Sequence, residues 1–356
     1  MSARQVASFL HAFLRPEAVR VPERLIHLDL PSGPTPALQI GEMGGAPWVV
    51  LHGVTVPGAR HPQLQRLVRA LAGAGALVLV PDIAPWRELR IDRDRSAAVI
   101  TAAVERAHDD ASGQHVTLCG FSIGGTEALT IAALPAVASR LRRVVSYGGY
   151  ADLERAVRFM FTGAHEREEV PYRGDPDPYG RWVLAANYLD RVPELEGAAA
   201  VADAVRGLAL EVGTRQAFAG DPRWDERKAE LRATLPAEAH RTWDVLAPPT
   251  GNPVAREEGE KLAHDLARTA LRTEPRLDPR AGLGDLSVPV ELLHGEGDRL
   301  IPFSEAPRLA ALLPADRVNT TITPLFTHSS GVRLSGVPRV PRAAIEFARV
   351  LARTLG

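Results

Sequence analysis

The stretch His115-Val116-Thr117-Leu118-Cys119-Gly120-Phe121-Ser122-Ile123-Gly124-Gly125 decides how the rest of the chain is read. Its first five residues make an apolar run suited to a buried strand. The apolar spacing over 124–134 suits a helix. Between them, Gly120-Phe121-Ser122-Ile123-Gly124 matches G-x-S-x-G in a strand–turn–helix setting. A serine on so sharp a turn has a strained backbone. Its neighbours must be small for strand and helix to approach. The turn sets the hydroxyl beside a helix N-terminus, whose dipole favours a developing oxyanion. An ordinary glycine-rich turn is the alternative reading.

Working outward, further apolar runs lie at 48–51, 76–80 and 143–147. Helical spacing separates them at 64–72 and 95–107. Runs without alternation are buried on both faces, and intervening helices imply parallel crossovers. The pattern predicts an α/β protein with a mostly parallel sheet flanked by helices. Two leading antiparallel strands are expected at 24–30 and 37–42. From 151 to 287 only helical patterns occur, at 153–161, 181–189, 198–212, 225–235 and 255–271, punctuated by proline and glycine. Strand patterns resume at 288–293 and 318–322, and a last helix is expected over 342–355. The expected organisation is a core in two parts, 1–150 and 288–356, interrupted by an all-helical insertion over 151–287.

A nucleophilic serine needs a base, and the base needs an orienting acid, in the chain order serine, acid, histidine for this motif. His328, in Leu325-Phe326-Thr327-His328-Ser329-Ser330, follows a resumed strand and is the expected base. His294 precedes any acid and is read as ordering its own turn. Asp298 follows a buried strand and a glycine-flanked turn, in His294-Gly295-Glu296-Gly297-Asp298, and is the expected acid. Asp152 is the second choice. Asp316 reads as part of a helix-to-strand loop. The backbone N–H of Ile123 is one expected oxyanion donor. Val54, after His52-Gly53, is the other, with Thr55 behind it. That loop is not the HGGG form.

On these segments (His52-Gly53, Gly120–Gly125, His294–Pro302 and Thr327-His328) the chain resembles the α/β-hydrolase superfamily. It is similar to capped esterase-like or dienelactone-hydrolase-like members. The resemblance covers about residues 24–150 and 288–356. It implies a Ser-acid-His triad without a cofactor. Serine at 122 departs from dienelactone hydrolases proper, which use cysteine, and from the aspartate nucleophile of haloalkane dehalogenases and epoxide hydrolases. The implied activity is cleavage of a small carboxylic ester. Amide or carbon–carbon cleavage, and a non-catalytic ligand-binding module, stay open.

Composition narrows the remaining classes. In 356 residues the formal net charge is −1, so no global field draws nucleic acid or an anionic membrane. The single cysteine, Cys119, excludes an intrachain disulfide and sits where a small buried apolar residue belongs. No metal-ligand spacing or phosphate-binding loop occurs. Val6, Phe9, Leu10, Phe13 and Leu14 read as a short amphipathic helix rather than a leader, so a cytoplasmic protein is expected. The insertion's aromatic residues, Tyr172, Tyr179, Trp182, Tyr188, Trp224 and Trp243, read first as its own core, and the sharper reading turns a few of them toward the cleft. Tyr150, Trp182 and Tyr188 are the expected substrate contacts. Oligomeric state is not legible.

Overall fold

A computed structural model describes residues 3–252, 254–324 and 340–355. Ten strands occur there: β1 (Glu23–Leu28), β2 (Thr35–Ile40), β3 (Ala46–Leu51), β4 (Ala76–Pro81), β5 (Val116–Phe121), β6 (Leu141–Tyr147), β7 (Ala164–Arg167), β8 (Val170–Arg173), β9 (Val290–Gly295) and β10 (Val318–Thr323). Eight make one sheet, in the order β1-β2-β4-β3-β5-β6-β9-β10. β1 and β2 enter antiparallel, and from β4 to β10 every pairing is parallel.

Alternate residues of each central strand feed two separate cores. Val49, Leu51, Leu118, Val144 and Leu292 pack against the helices Arg93–Asp110, Ile123–Ala132 and Glu305–Ala311. Trp48, Val50, Cys119, Val145 and Leu293 pack against Ala3–Leu14, Pro62–Gly73 and Val340–Leu355. The period of two along a strand buried on both sides therefore produces a three-layer sandwich.

The chain leaves the sheet after β6 and returns at β9. Between them lie the helices Leu153–Thr162, Pro178–Tyr188, Ala198–Arg215, Asp225–Thr234, His240–Leu246 and Arg256–Thr273. This segment has its own core, in which Trp182, Trp224 and Trp243 are fully buried. It is not all-helical, as the sequence suggested. β7 and β8 pair as an antiparallel hairpin. Both turn residues, Glu168 and Glu169, have positive φ, of 51° and 66°. Such a turn usually advertises itself with Asn or Gly. Here four-residue strands and a proline, Pro171, hid it.

Beneath β5, helices Arg93–Asp110 and Ile123–Ala132 are joined by a buried ion pair, Arg93 with Glu127. Ser96 donates to the same carboxylate at 3.3 Å. Burial pushes the Glu127 carboxyl up to about 7, against the pull of Arg93. Glu127→Ala leaves the Arg93 charge buried and unpaired. At pH 8, where the carboxylate is ionised, the variant is expected to lose about 3–5 kcal/mol in urea unfolding. A loss below about 1 kcal/mol would mean that the pair does not clamp the two helices.

Candidate active site

The carboxyl ends of β3, β5, β6 and β9 lie along one edge of the sheet, and each delivers one part of a site. β5 delivers Ser122, whose backbone has φ 57° and ψ −128°. Its N–H donates to the Tyr147 carbonyl at 2.8 Å, and its own carbonyl accepts from Gly125 N at 2.8 Å. Three glycines make room. A Cβ on Gly120 would lie 2.0 Å from the Gly124 oxygen. On Gly124 it would lie 2.7 Å from the His52 oxygen, and on Gly125 2.8 Å from Ser146 Oγ. Only glycine permits helix, strand and neighbouring loop to meet this closely.

β3 delivers His52, Gly53 and Val54. The loop passes directly beside the serine, since a Cβ on Gly53 would sit 3.4 Å from Ser122 Cβ. Ile123 opens the helix Ile123–Ala132, and the N–H of a first helical residue has no partner within its helix. His52 is fully buried, with Nδ1 2.7 Å from the Gly53 carbonyl and Nε2 3.2 Å from Ile83 N. Ile83 can only donate, so Nε2 is bare and Nδ1 carries the proton. The imidazole is a neutral strut that fixes the Gly53–Val54 peptide. Burial lowers its pKa to about 4.

β9 delivers Asp298. Oδ1 accepts from Leu300 N at 2.8 Å and Ile301 N at 3.0 Å. Oδ2 lies 3.4 Å from His294 Nε2. His294 also donates to the Ile301 carbonyl at 3.0 Å. It orders its own turn, as its position suggested. Asp152 instead caps the helix Leu153–Thr162, accepting from Arg155 N at 3.2 Å, with Arg280 3.7 Å away. Asp316 is an exposed loop residue. The Cys119 thiol is buried in β5 and pushed up to about 12, which makes it a poor nucleophile.

Ser122, Gly53, Val54, Ile123 and Asp298 all line one cavity. The inserted segment contributes apolar walls from Leu153, Met160, Val183, Leu184, Val212 and Leu277. Its rim includes the half-exposed Tyr172 and Phe218. His165 stacks on Tyr172 and meets Phe303 edge-on, with centroids 5.4 and 5.0 Å apart. Arg299 lies 4.1 Å over the Phe218 ring, pairs with Asp175 and accepts from Asp177 N at 2.7 Å.

No family profile matches the sequence, and a comparison with curated proteins finds no match. Solved structures do match. An esterase of Pyrococcus furiosus superposes with a TM-score of 0.51 at 12% identity, over 96% of this chain and 92% of that one. The chain has the α/β-hydrolase fold. A 2-hydroxy-6-oxo-6-phenylhexa-2,4-dienoate hydrolase from Rhodococcus sp. strain RHA1 matches at 0.49 and 16% identity, over 94% and 100% of the two chains.

Within this α/β-hydrolase fold, the residues singled out from sequence separate into three groups. Ser122, Ile123, Val54, Asp298 and Tyr150 share the cavity. The Tyr150 hydroxyl donates to the Leu277 carbonyl at 2.9 Å, so it braces the wall. Trp182 and Tyr188 do not line the cavity, which corrects the expectation. Both are buried in the insertion's own core, and Trp182 Nε1 donates to the Leu246 carbonyl at 2.7 Å. The reason is helical phase. On Pro178–Tyr188 it is Tyr179, Gly180, Val183 and Leu184 that reach the cavity, at i, i+1, i+4 and i+5. His328 lies outside the described residues. The strut His52 was missed as a site residue, although the His52-Gly53 dipeptide was a usable signal for it, and Tyr179 was read with the insertion's own core but lines the cavity.

His52 makes a pH test possible. The unfolded chain binds its proton near pH 6.5 and the folded one near 4. Stability from the neutral ring is whole above pH 6.5 and is lost as pH falls toward 4, by roughly 3 kcal/mol. The unfolding free energy of the wild type is expected to fall by that much relative to His52→Gln between pH 7 and 4. A difference independent of pH would reject the neutral strut.

Proposed function

We propose that the protein is a serine hydrolase that cleaves a carboxylic ester through an acyl-enzyme. Ser122 is the nucleophile, His328 the base, and Asp298 the acid that orients the imidazole. The observation that carries this reading is the strained Ser122 backbone beside Gly53 at the carboxyl edge of the sheet. A φ of 57° on serine is retained only where the surroundings over-determine it, and such strain concentrates at functional sites.

The chemistry follows from the parts. His328 takes the Ser122 proton as Oγ attacks the ester carbonyl. The N–H groups of Val54 and Ile123 receive the oxyanion, helped by the positive end of the helix Ile123–Ala132. The imidazolium then protonates the departing alcohol. Water, activated by the same base, releases the acid and restores Ser122. Asp298 is suited to its part because two backbone N–H groups hold Oδ1 and burial excludes water. Residues 151–287 act as a cap that shapes the acyl pocket and keeps bulk water from the acyl-enzyme.

Ser122→Ala is expected to abolish fluorophosphonate labelling and to lower kcat on chromogenic esters by about 10⁴–10⁶. Labelling at the wild-type rate would move the nucleophile elsewhere. Asp298→Asn is expected to cost about 10⁴ in kcat and Asp152→Asn little. The reverse ranking would transfer the acid role to Asp152. Leu184→Trp, which fills the pocket from the insertion, is expected to shift the preferred acyl length downward by two or more carbons. An unchanged chain-length profile would remove the cap from substrate selection.

A further inference from the structure

Among the described residues, the cavity is lined by a buried polar group that nothing so far employs. The Tyr179 hydroxyl is buried and makes no hydrogen bond. The Thr55 side chain is within its reach, yet the geometry between them falls short of a hydrogen bond. Its placement is specific. Gly213, on the helix Ala198–Arg215, leaves the space it occupies, since a Cβ there would lie 3.1 Å from the hydroxyl and 2.7 Å from Val56 Cγ2. The helix that carries it is anchored at both ends of its first turn. Asp177 Oδ1 accepts from Tyr179 N at 3.0 Å, and Asp177 N donates to the Arg299 carbonyl at 2.7 Å. The ring therefore stands in a fixed position beside the loop that follows β3.

A buried hydroxyl without a partner is unfavourable, and native structures leave few of them. Apart from Thr55, the side chains nearby are hydrocarbon: Val56, Val183, Leu184 and Val212. A ligand oxygen in the cavity would give this hydroxyl the well-formed partner it lacks. Burial, with Asp177 adding to it, raises the phenol's pKa, so it remains a donor. Charge around the cavity points the same way. Arg299 and Asp175 pair with each other, which leaves Asp177, Glu296 and Asp298 among the lining residues against Arg173. An anionic substrate would meet net repulsion.

We propose that Tyr179 is a substrate-recognition residue. Its O–H donates to an oxygen of the bound molecule other than the scissile carbonyl. The substrates are then uncharged esters whose apolar part is interrupted by an ether, keto or hydroxyl oxygen. The proposal rests on the Ser122 reading for turnover. Recognition itself is a binding property, so it can be tested apart from catalysis.

The experiment compares p-nitrophenyl hexanoate with its 3-oxa, 4-oxa and 5-oxa isosteres, and with hexanoate esters of matched alkyl and alkoxyalkyl alcohols. At one oxygen position the wild-type kcat/KM is expected to exceed that of the all-carbon isostere by about tenfold. Tyr179→Phe should erase this advantage, bringing the kcat/KM values of the oxa ester and its all-carbon isostere together. Thermal unfolding of Tyr179→Phe should match or exceed that of the wild type, because the hydroxyl has no internal bond to lose. A parallel arm measures calorimetric binding of the same pairs to Ser122→Ala, with and without Tyr179→Phe. That arm reads recognition even if Ser122 is not the nucleophile, whereas failure of the wild type to turn over any of these esters would count against the Ser122 reading alone. Three results would overturn the proposal: no oxygen position preferred, a preference that survives Tyr179→Phe, or an equal slowing of every ester. The last would place the hydroxyl at the reacting carbonyl instead.

Discussion

The Ser122 backbone cannot relax. Its φ of 57° is held between a carbonyl of β6, which accepts its N–H, and the first turn of the following helix, which uses its carbonyl. Each glycine around it faces a different neighbour: Gly120 its own helix, Gly124 the end of β3, Gly125 the end of β6. The elbow is thus the place where three adjacent strands and one helix agree on their separation. A side chain on any of the three would push a whole element, because packed interiors do not yield locally. That one constraint brings the loop after β3 within van der Waals reach of the serine.

The sheet was legible because its strands are buried on both faces and so read as unbroken apolar runs. Both antiparallel leaders were found, although β1 is largely exposed and carries weaker alternation. The long helices of the insertion were legible from their spacing, and the short helix His240–Leu246 and the hairpin were not. The site divided along a similar line. Ser122 and Asp298, read from motif positions tied to backbone geometry, both line the cavity. Which face of Pro178–Tyr188 meets the cavity depends on how that helix is rotated against Leu153–Thr162 and Ala198–Arg215. Tryptophan content pointed to Trp182, but a large ring with an N–H to satisfy belongs where a fixed carbonyl awaits it, and Leu246 supplies that in the core.

Buried polar groups, rather than apolar contact alone, tie the two parts of the chain together. Glu305 is fully buried on the helix after the Asp298 turn. Its Oε2 accepts from Ala151 N at 2.9 Å and Asp152 N at 3.0 Å, where the insertion departs. Burial raises its carboxyl pKa and those two donors oppose the rise. The departing end of the insertion is thereby held by an element of the core.

The contact between Asp177 and Arg299 ties an event to a state. Arg299 is the residue immediately after Asp298, and its carbonyl takes the N–H that begins the helix bearing Tyr179. Guest entry by outward displacement of that helix would break this bond and loosen the turn that holds Asp298 Oδ1. Displacement of the helix and loosening of the Asp298 turn would then be one transition, with a single equilibrium constant.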